Sequence, residues 1–287
     1  MERVFFQKIL ITVSGTLLIF AALSSILAFG IYEFGWSGSW MAYVPLPAAF
    51  VDGRFITQSE VFRRLAAYEN LGGGPTDQRK TILANLTEEE IISDLAQKLG
   101  ITVSDSELDQ YFGYLLNRFG IKSEDASDAI RQKFGWSPEE FRRFLVIPDL
   151  LEAKLKMSFM TNAKDSFAFR RMELIKNRLG SGLDFLEAVK LYSEDEESKY
   201  IGGELGYRGL NEIEPWVAGK VSRFKNGEVS DIIVSPDGYH IMQMVAREGS
   251  GDDEQVLLRQ IFLKGPDFSE YLEKEKQNYK VYIFGRL

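Results

Sequence analysis

The chain holds one histidine, His240, and no cysteine among its 287 residues. Imidazole and thiolate are the groups that titrate or attack readily near neutral pH. Acid–base or nucleophilic chemistry must therefore run through His240 or through carboxylates and hydroxyls. His240 sits in Gly238-Tyr239-His240-Ile241-Met242, and a glycine-rich turn, Gly202-Gly203-Glu204-Leu205-Gly206, precedes it. Without thiols there are no disulfides and no zinc–thiolate sites. A metal site would have to be mostly carboxylate, and neither metal nor cofactor is expected. Gly203, Gly206 and Gly209 imitate a glycine loop, but no strand–loop–helix unit follows and Gly219-Lys220 lacks the next Ser or Thr. Nucleotide binding is not expected. With 42 acidic against 34 basic residues, the formal charge of −8 argues against a nucleic-acid partner.

The elements that must position His240 span 165–265. A helix is expected over Phe167–Leu179, stopped by Gly180-Ser181-Gly182. Asp184 opens a second, ending at Leu191-Tyr192-Ser193, and an acidic loop Glu194–Glu197 follows. Pro215-Trp216 starts a third, to about Phe224. Ile232–Val234 and Tyr239–Ala246 have strand character, separated by the turn Pro236-Asp237-Gly238, with Ile241 and Val245 expected on one face. The tail 266–287 holds a helix, Phe268–Asn278, and a strand, Tyr279–Phe284. That tail could cover the domain or extend its sheet.

Residues 48–164 show helical periodicity. Ala48–Ile56 contains an Asp-Gly turn and is expected to form a hairpin or extended entry. Thr57 with Glu60, and Ser104 with Glu107, have capping-box spacing; Ser137-Pro138-Glu139-Glu140 combines a serine cap, a first-turn proline and a glutamate at the third position. Gly100, Gly120 and Gly135 mark helix ends, and Pro148 marks a bend.

Residues 9–32 form an uncharged, mostly apolar run of about the length that spans a bilayer. Arg3 and Lys8 precede it and Glu33 follows, which puts residues 1–8 in the cytoplasm and the bulk of the chain outside. A cleaved signal peptide is the competing reading, but its apolar core would be shorter and no small-residue cleavage site ends the run. Residues 33–47 form a linker, whose Trp36 and Trp40 suit a membrane–water boundary or an ordinary linker.

Two resemblances follow. Phe50-Val51-Asp52-Gly53-Arg54-Phe55-Ile56-Thr57, then Ile91 to Leu108, then Trp136-Ser137-Pro138-Glu139-Glu140-Phe141 occur in an order that resembles the N-terminal chaperone region of SurA-like and PrsA-like foldases. Leu183-Asp184-Phe185, Tyr192-Ser193-Glu194-Asp195, Gly202–Gly206, Gly227-Glu228-Val229-Ser230 and Gly238–Ile241 together resemble a parvulin-type peptidyl-prolyl isomerase (rotamase) domain. The resemblances imply an all-α SurA-N-like region and an α+β parvulin-like domain, and with residues 9–32 read as a transmembrane helix they give a membrane-anchored, extracytoplasmic protein. They also imply binding of unfolded or nascent exported polypeptides and isomerisation of X-Pro bonds.

A parvulin domain normally begins with a histidine-bearing strand, and none precedes Phe167. Residues 256–263 resemble that strand, which suggests a circular permutation with Gln260 at the family's first histidine position. By the same resemblance His240 is the second core histidine and Asp195 falls where the family has Asp or Cys. Trp216 falls at the proline-pocket aromatic, Glu212 near a pocket methionine, and Ser235 and Asp237 at the polar rim. Taken alone, His240 suits a satisfied structural histidine equally well, Asp195 a loop cap, and Trp216 plain core. Because Gln260 cannot titrate, a holdase whose parvulin-like domain only binds polypeptide stands beside the enzyme reading.

Overall fold

The computed structural model describes residues 46–73, 78–251 and 254–284. The apolar run 9–32, the segment 1–8 and nearly all of the linker 33–47 lie outside these residues. Among the described residues, no helix is long and apolar enough to cross a membrane. The chain divides into two compact units, 1–91 with 278–287, and 92–277.

In the first unit, β1 (Pro47–Val51) and β2 (Arg54–Thr57) form an antiparallel hairpin. Its turn places Asp52 at φ +41° and Gly53 at φ +106°, a left-handed pair that Asp-Gly tolerates well. Thr57 then caps α1 (Gln58–Asn70), its hydroxyl accepting the Glu60 N–H at 3.2 Å. α2 (Gln78–Lys98) follows and runs across the boundary between units. The last strand, β7 (Val281–Ile283), pairs antiparallel with β1, giving the sheet order β2-β1-β7. The final strand thus joins the N-terminal hairpin instead of extending the sheet that carries His240.

The second unit opens with helices. α3 (Asp105–Arg118) and α4 (Ala126–Phe134) lead to α5 (Pro138–Phe141), a π-helical stretch Arg142–Val146, and α6 (Ile147–Asn162). Both serine capping boxes form: Ser104 with Glu107 and Ser137 with Glu140 each exchange side-chain and backbone hydrogen bonds. The bend expected at Pro148 takes the form of the π stretch before it. Proline has no N–H to give the Phe144 carbonyl, and the widened turn lets the Ile147 N–H reach back to the Arg142 carbonyl. Phe134, Trp136, Phe141 and Phe144 fill the space between these helices; Phe141 is fully buried and its ring lies 5.1 Å from that of Phe134.

The rest of the unit is an antiparallel sheet in the order β3-β6-β5-β4, formed by β3 (Glu204–Gly209), β4 (Ile233–Val234), β5 (Gly238–Glu248) and β6 (Gln255–Lys264). The strand expected at 256–263 is therefore central, with β5 on one side and β3 on the other. Strand alternation gives the sheet two apolar faces. Tyr239, Ile241, Ile261 and Leu263 pack with α7 (Phe167–Gly180) and α8 (Phe185–Tyr192). Met242, Met244, Val256 and Leu258 pack with α9 (Pro215–Val221), through Val217 and Val221. Val245 does not share the burial of Ile241. The register slips between Met244 and Ala246, and a bulge there ends the simple alternation the sequence suggested. α10 (Phe268–Lys276) closes the unit.

Candidate active site

His240 lies on the α9 face of β5, and antiparallel pairing sets it opposite Phe262 and sets Met242 opposite Gln260. His240 and Gln260 are therefore diagonal neighbours on one face, within side-chain reach. Oε1 of Gln260 lies 3.0 Å from Nδ1 of the imidazole. The Gln260 Nε2 amide donates to Oδ2 of Asp195 at 2.7 Å. On the other side of the ring, Nε2 of His240 lies 2.8 Å from Oγ of Ser235.

Each partner is held by the local fold. Asp195 follows α8, where Ser193 latches the chain to the central strand: its Oγ accepts the Phe262 N–H at 3.2 Å, and the Glu194 N–H donates to the Phe262 carbonyl at 2.8 Å. The buried Ser198 hydroxyl donates to Oδ2 of Asp195, and the Glu197 N–H donates to Oδ1. Gly203 brings β3 against Gln260. Its carbonyl accepts the Gln260 N–H at 2.8 Å, and at φ +80° a Cβ would stand 2.5 Å from the Gln260 carbonyl oxygen. Ser235 is fixed by the turn into β5, its Oγ accepting N–H groups from Asp237 and Gly238.

These contacts have one consistent direction. A carboxylate only accepts, so Asp195 must face the amide nitrogen of Gln260, which leaves the amide oxygen toward His240. Nδ1 must then carry the proton, Nε2 is the lone pair, and the Ser235 hydroxyl donates to it. Burial holds the imidazole below its ordinary value of 6.5, against the opposing pull of Gln260 and of the charges on Glu214, Asp237 and Asp195. A neutral ring with a fixed tautomer follows. For Asp195, burial pushes the carboxyl up, but the Ser198 hydroxyl, the Gln260 amide and the N–H groups of Glu197 and Ser198 outweigh it and hold it below 3.8.

Beside this chain of polar groups lies a cleft of about 540 Å³. Its walls are apolar where α9 faces the sheet: Ile213, Trp216, Val217, Met242 and Leu258 line it, with Leu205 from β3. The Trp216 ring is backed by Tyr111 of α3, with centroids 6.1 Å apart, and Tyr111 donates its hydroxyl to Asp149 at 2.8 Å. The helical part of this unit thus supports the wall of the cleft. An apolar groove bordered by a few fixed polar groups suits a small ring-bearing substrate segment whose adjoining amide lies at the polar edge.

Residues 151–246 match a known family model. That family is the rotamase, or PPIC-type PPIASE, domain. The match stops before β6, so Gln260 reaches the site from outside the matched segment. Over 85 residues the chain is 45% identical to chaperone SurA of Methylococcus capsulatus, covering 30% of this chain and 18% of the relative. It is also 25% identical over 229 residues to foldase protein PrsA of Halalkalibacterium halodurans, covering 71% of this chain and 66% of that protein. The chain thus spans less than two thirds of the length of either relative. A solved structure of SurA-like chaperones from Campylobacter jejuni, PEB4 and Cj1289, aligns over 83% of this chain and 98% of its own at 14% identity and a TM-score of 0.30. The chain is similar to SurA and PrsA foldases and carries a rotamase segment.

Of the residues singled out in the sequence, the structure brings together His240, Gln260, Asp195 and Ser235 by direct hydrogen bonds, with Trp216 and Asp237 on the cleft lining. Glu212 stands apart. Its carboxylate accepts the Gly209 N–H at 3.0 Å, and its buried neighbour Ile213 lines the cleft instead. As a capping carboxylate Glu212 stays in water, while the isoleucine turns in. Sequence reasoning missed Ser198, Met242 and Leu258. The last two were accessible from alternation alone, since 242 shares a strand face with 240, and 258 with 260.

Proposed function

We propose that the chain is a membrane-anchored, extracytoplasmic foldase that binds unfolded exported polypeptides and catalyses cis/trans isomerisation of X-Pro bonds, using a circularly permuted parvulin-like domain whose first strand is β6. The observation that carries the reading is the apolar cleft walled by Trp216, Met242 and Leu258 and bordered by the bonded series Asp195, Gln260, His240 and Ser235. Isomerisation breaks no bond. It crosses a barrier of roughly 18–20 kcal/mol set by amide conjugation. The planar amide is more polar than the twisted one, so an apolar cleft that excludes water favours the twisted form, provided the proline ring is held while the acyl side turns. A neutral, immobile imidazole offers a polar edge without charge. The similarity to SurA and PrsA foldases supports the polypeptide-binding part, and the apolar run 9–32 supports the anchor.

One observation favours a second reading, a holdase without turnover. By its resemblance to the parvulin first strand, β6 sets Gln260 at a family histidine position, and glutamine cannot titrate. A prolyl-isomerisation assay on a fragment from about residue 45 separates the two, with His240→Ala and Asp195→Ala as controls and Gln260→His as a gain-of-function companion. Acceleration in the wild type that both controls lose supports the enzyme. No rate above background, with delayed aggregation of a proline-free client, supports the holdase. Deleting residues 1–45 is expected to move the protein from the membrane to the soluble fraction, and full retention at the membrane would contradict the anchor.

A further inference from the structure

The residues around the cleft carry an unbalanced charge. Five carboxylates line it: Asp195, Glu197, Glu204, Glu214 and Asp237. Among the residues lining it, Arg208 is the one cation, and its Nε is engaged by the Leu205 carbonyl at 3.1 Å. Glu204 is neutralised by Arg259 from β6, whose Nη2 lies 2.6 Å from its Oε1. Asp195 keeps its charge while bonded to Gln260 and Ser198. Glu197 and Asp237 are exposed and Glu214 is half-buried, so three carboxylates border the cleft with water on one side and low-dielectric walls on the other. Glu214, Asp237 and Asp195 line the same cleft as His240 and lie near enough for their charges to act on its ring. A cleft lined by one sign of charge concentrates its field and selects ligands of the opposite sign.

We propose that this cleft selects X-Pro segments with a lysine or arginine within one or two residues of the proline, and rejects segments with acidic or phosphorylated neighbours. This rests on the reading of the cleft as a polypeptide site, and it concerns binding, so it holds for the enzyme and the holdase alike. The apolar floor takes the proline ring, and the flanking cation lies along the rim formed by Glu197, Glu214 and Asp237. Arg208 leaves room for one acidic or carboxy-terminal group at the β3 end, which makes the selection one of local position more than of total peptide charge.

The test measures equilibrium binding of the full chain in a neutral detergent to three fluorescent peptides that differ only at the residue before proline: lysine, alanine and glutamate. At low salt the lysine peptide is expected to bind about tenfold or more tightly than the glutamate peptide. In ~1 M salt, where the screening length falls to about 3 Å, the ratio should shrink toward one. The double variant Glu197→Gln/Glu214→Gln should lose most of the ratio, and Arg208→Gln should widen it. Equal binding of lysine and glutamate peptides at low salt overturns the selectivity and leaves the polypeptide site standing. A ratio that survives in the double variant overturns the assignment to this rim. Binding of none of the three overturns the polypeptide site and the selectivity together.

Discussion

The glutamine beside His240 has a definite consequence for the imidazole. Its amide has one accepting and one donating end, and the Asp195 carboxylate determines which end faces His240. The imidazole should therefore be neutral and protonated at Nδ1. Because it is the only histidine in the chain, nitrogen-15 spectra of the ring give one unambiguous pattern. Gln260→Leu should remove the tautomer preference, and an Nε2-protonated ring in the wild type would contradict the arrangement. Burial sets the pH response as well. The folded-state pKa of His240 is lowered below 6.5, so on acidification the unfolded chain takes the proton first. Stability is then fully present above the unfolded value and is lost as pH falls from about 6.5 through the folded value. Urea unfolding at pH 7 and pH 5 should show that loss, and His240→Gln should reduce it. At this scale the family resemblance singled out Asp195, Ser235, His240 and Gln260, and the structure joins these four by hydrogen bonds. Glu212 lies off the cleft lining, in a loop where no period of 2 or 3.6 fixes the register.

Elements set the precision of these contacts. β6 is a middle strand, and β3 can reach it closely because Gly203 has no side chain. Gly203→Ala combines a left-handed φ of +80° with a Cβ 2.5 Å from the Gln260 carbonyl oxygen. We expect it to destabilise the fold by roughly 1–3 kcal/mol. It should also weaken the His240–Gln260 bond, which is seen as a lower thermal midpoint together with a shifted His240 nitrogen resonance. An unchanged midpoint would mean that β3 does not approach β6 as described. Helix starts were legible here because a cap is a local device: Ser104 with Glu107, and Ser137 with Glu140, bond within one turn. The π stretch before Pro148 and the bulge near Val245 were not. The sequence showed that Pro148 lacks a donor, but not whether the helix would kink or widen. The bulge answers to strand pairing with β6, a partner more than ten residues away in the chain.

At the scale of the molecule, the domain is completed by chain that follows the segment matching the rotamase family. Deleting β6 removes the partner of both β3 and β5. A fragment covering 151–250 should therefore stay unfolded, while 92–277 should give a cooperative transition and dispersed methyl signals. Cooperative folding of the shorter fragment would contradict the central role of β6. Placing this strand from the sequence rested on its resemblance to a missing piece, and the pairing partners agree with it. Long-range pairing of that kind carries no local signal, which is why β7, short and outwardly similar, gave no indication of pairing with β1 instead.

The proposed activity is isomerisation of X-Pro bonds in the cleft beside His240. The most direct measurement is the exchange rate between cis and trans forms of a short X-Pro peptide, followed by magnetisation-exchange spectroscopy with and without the protein. The expected result is acceleration well above the uncatalysed exchange, whose time scale is tens of seconds, and its loss in His240→Ala while that variant still folds cooperatively. Exchange in the presence of folded wild-type protein no faster than in buffer would contradict the claim.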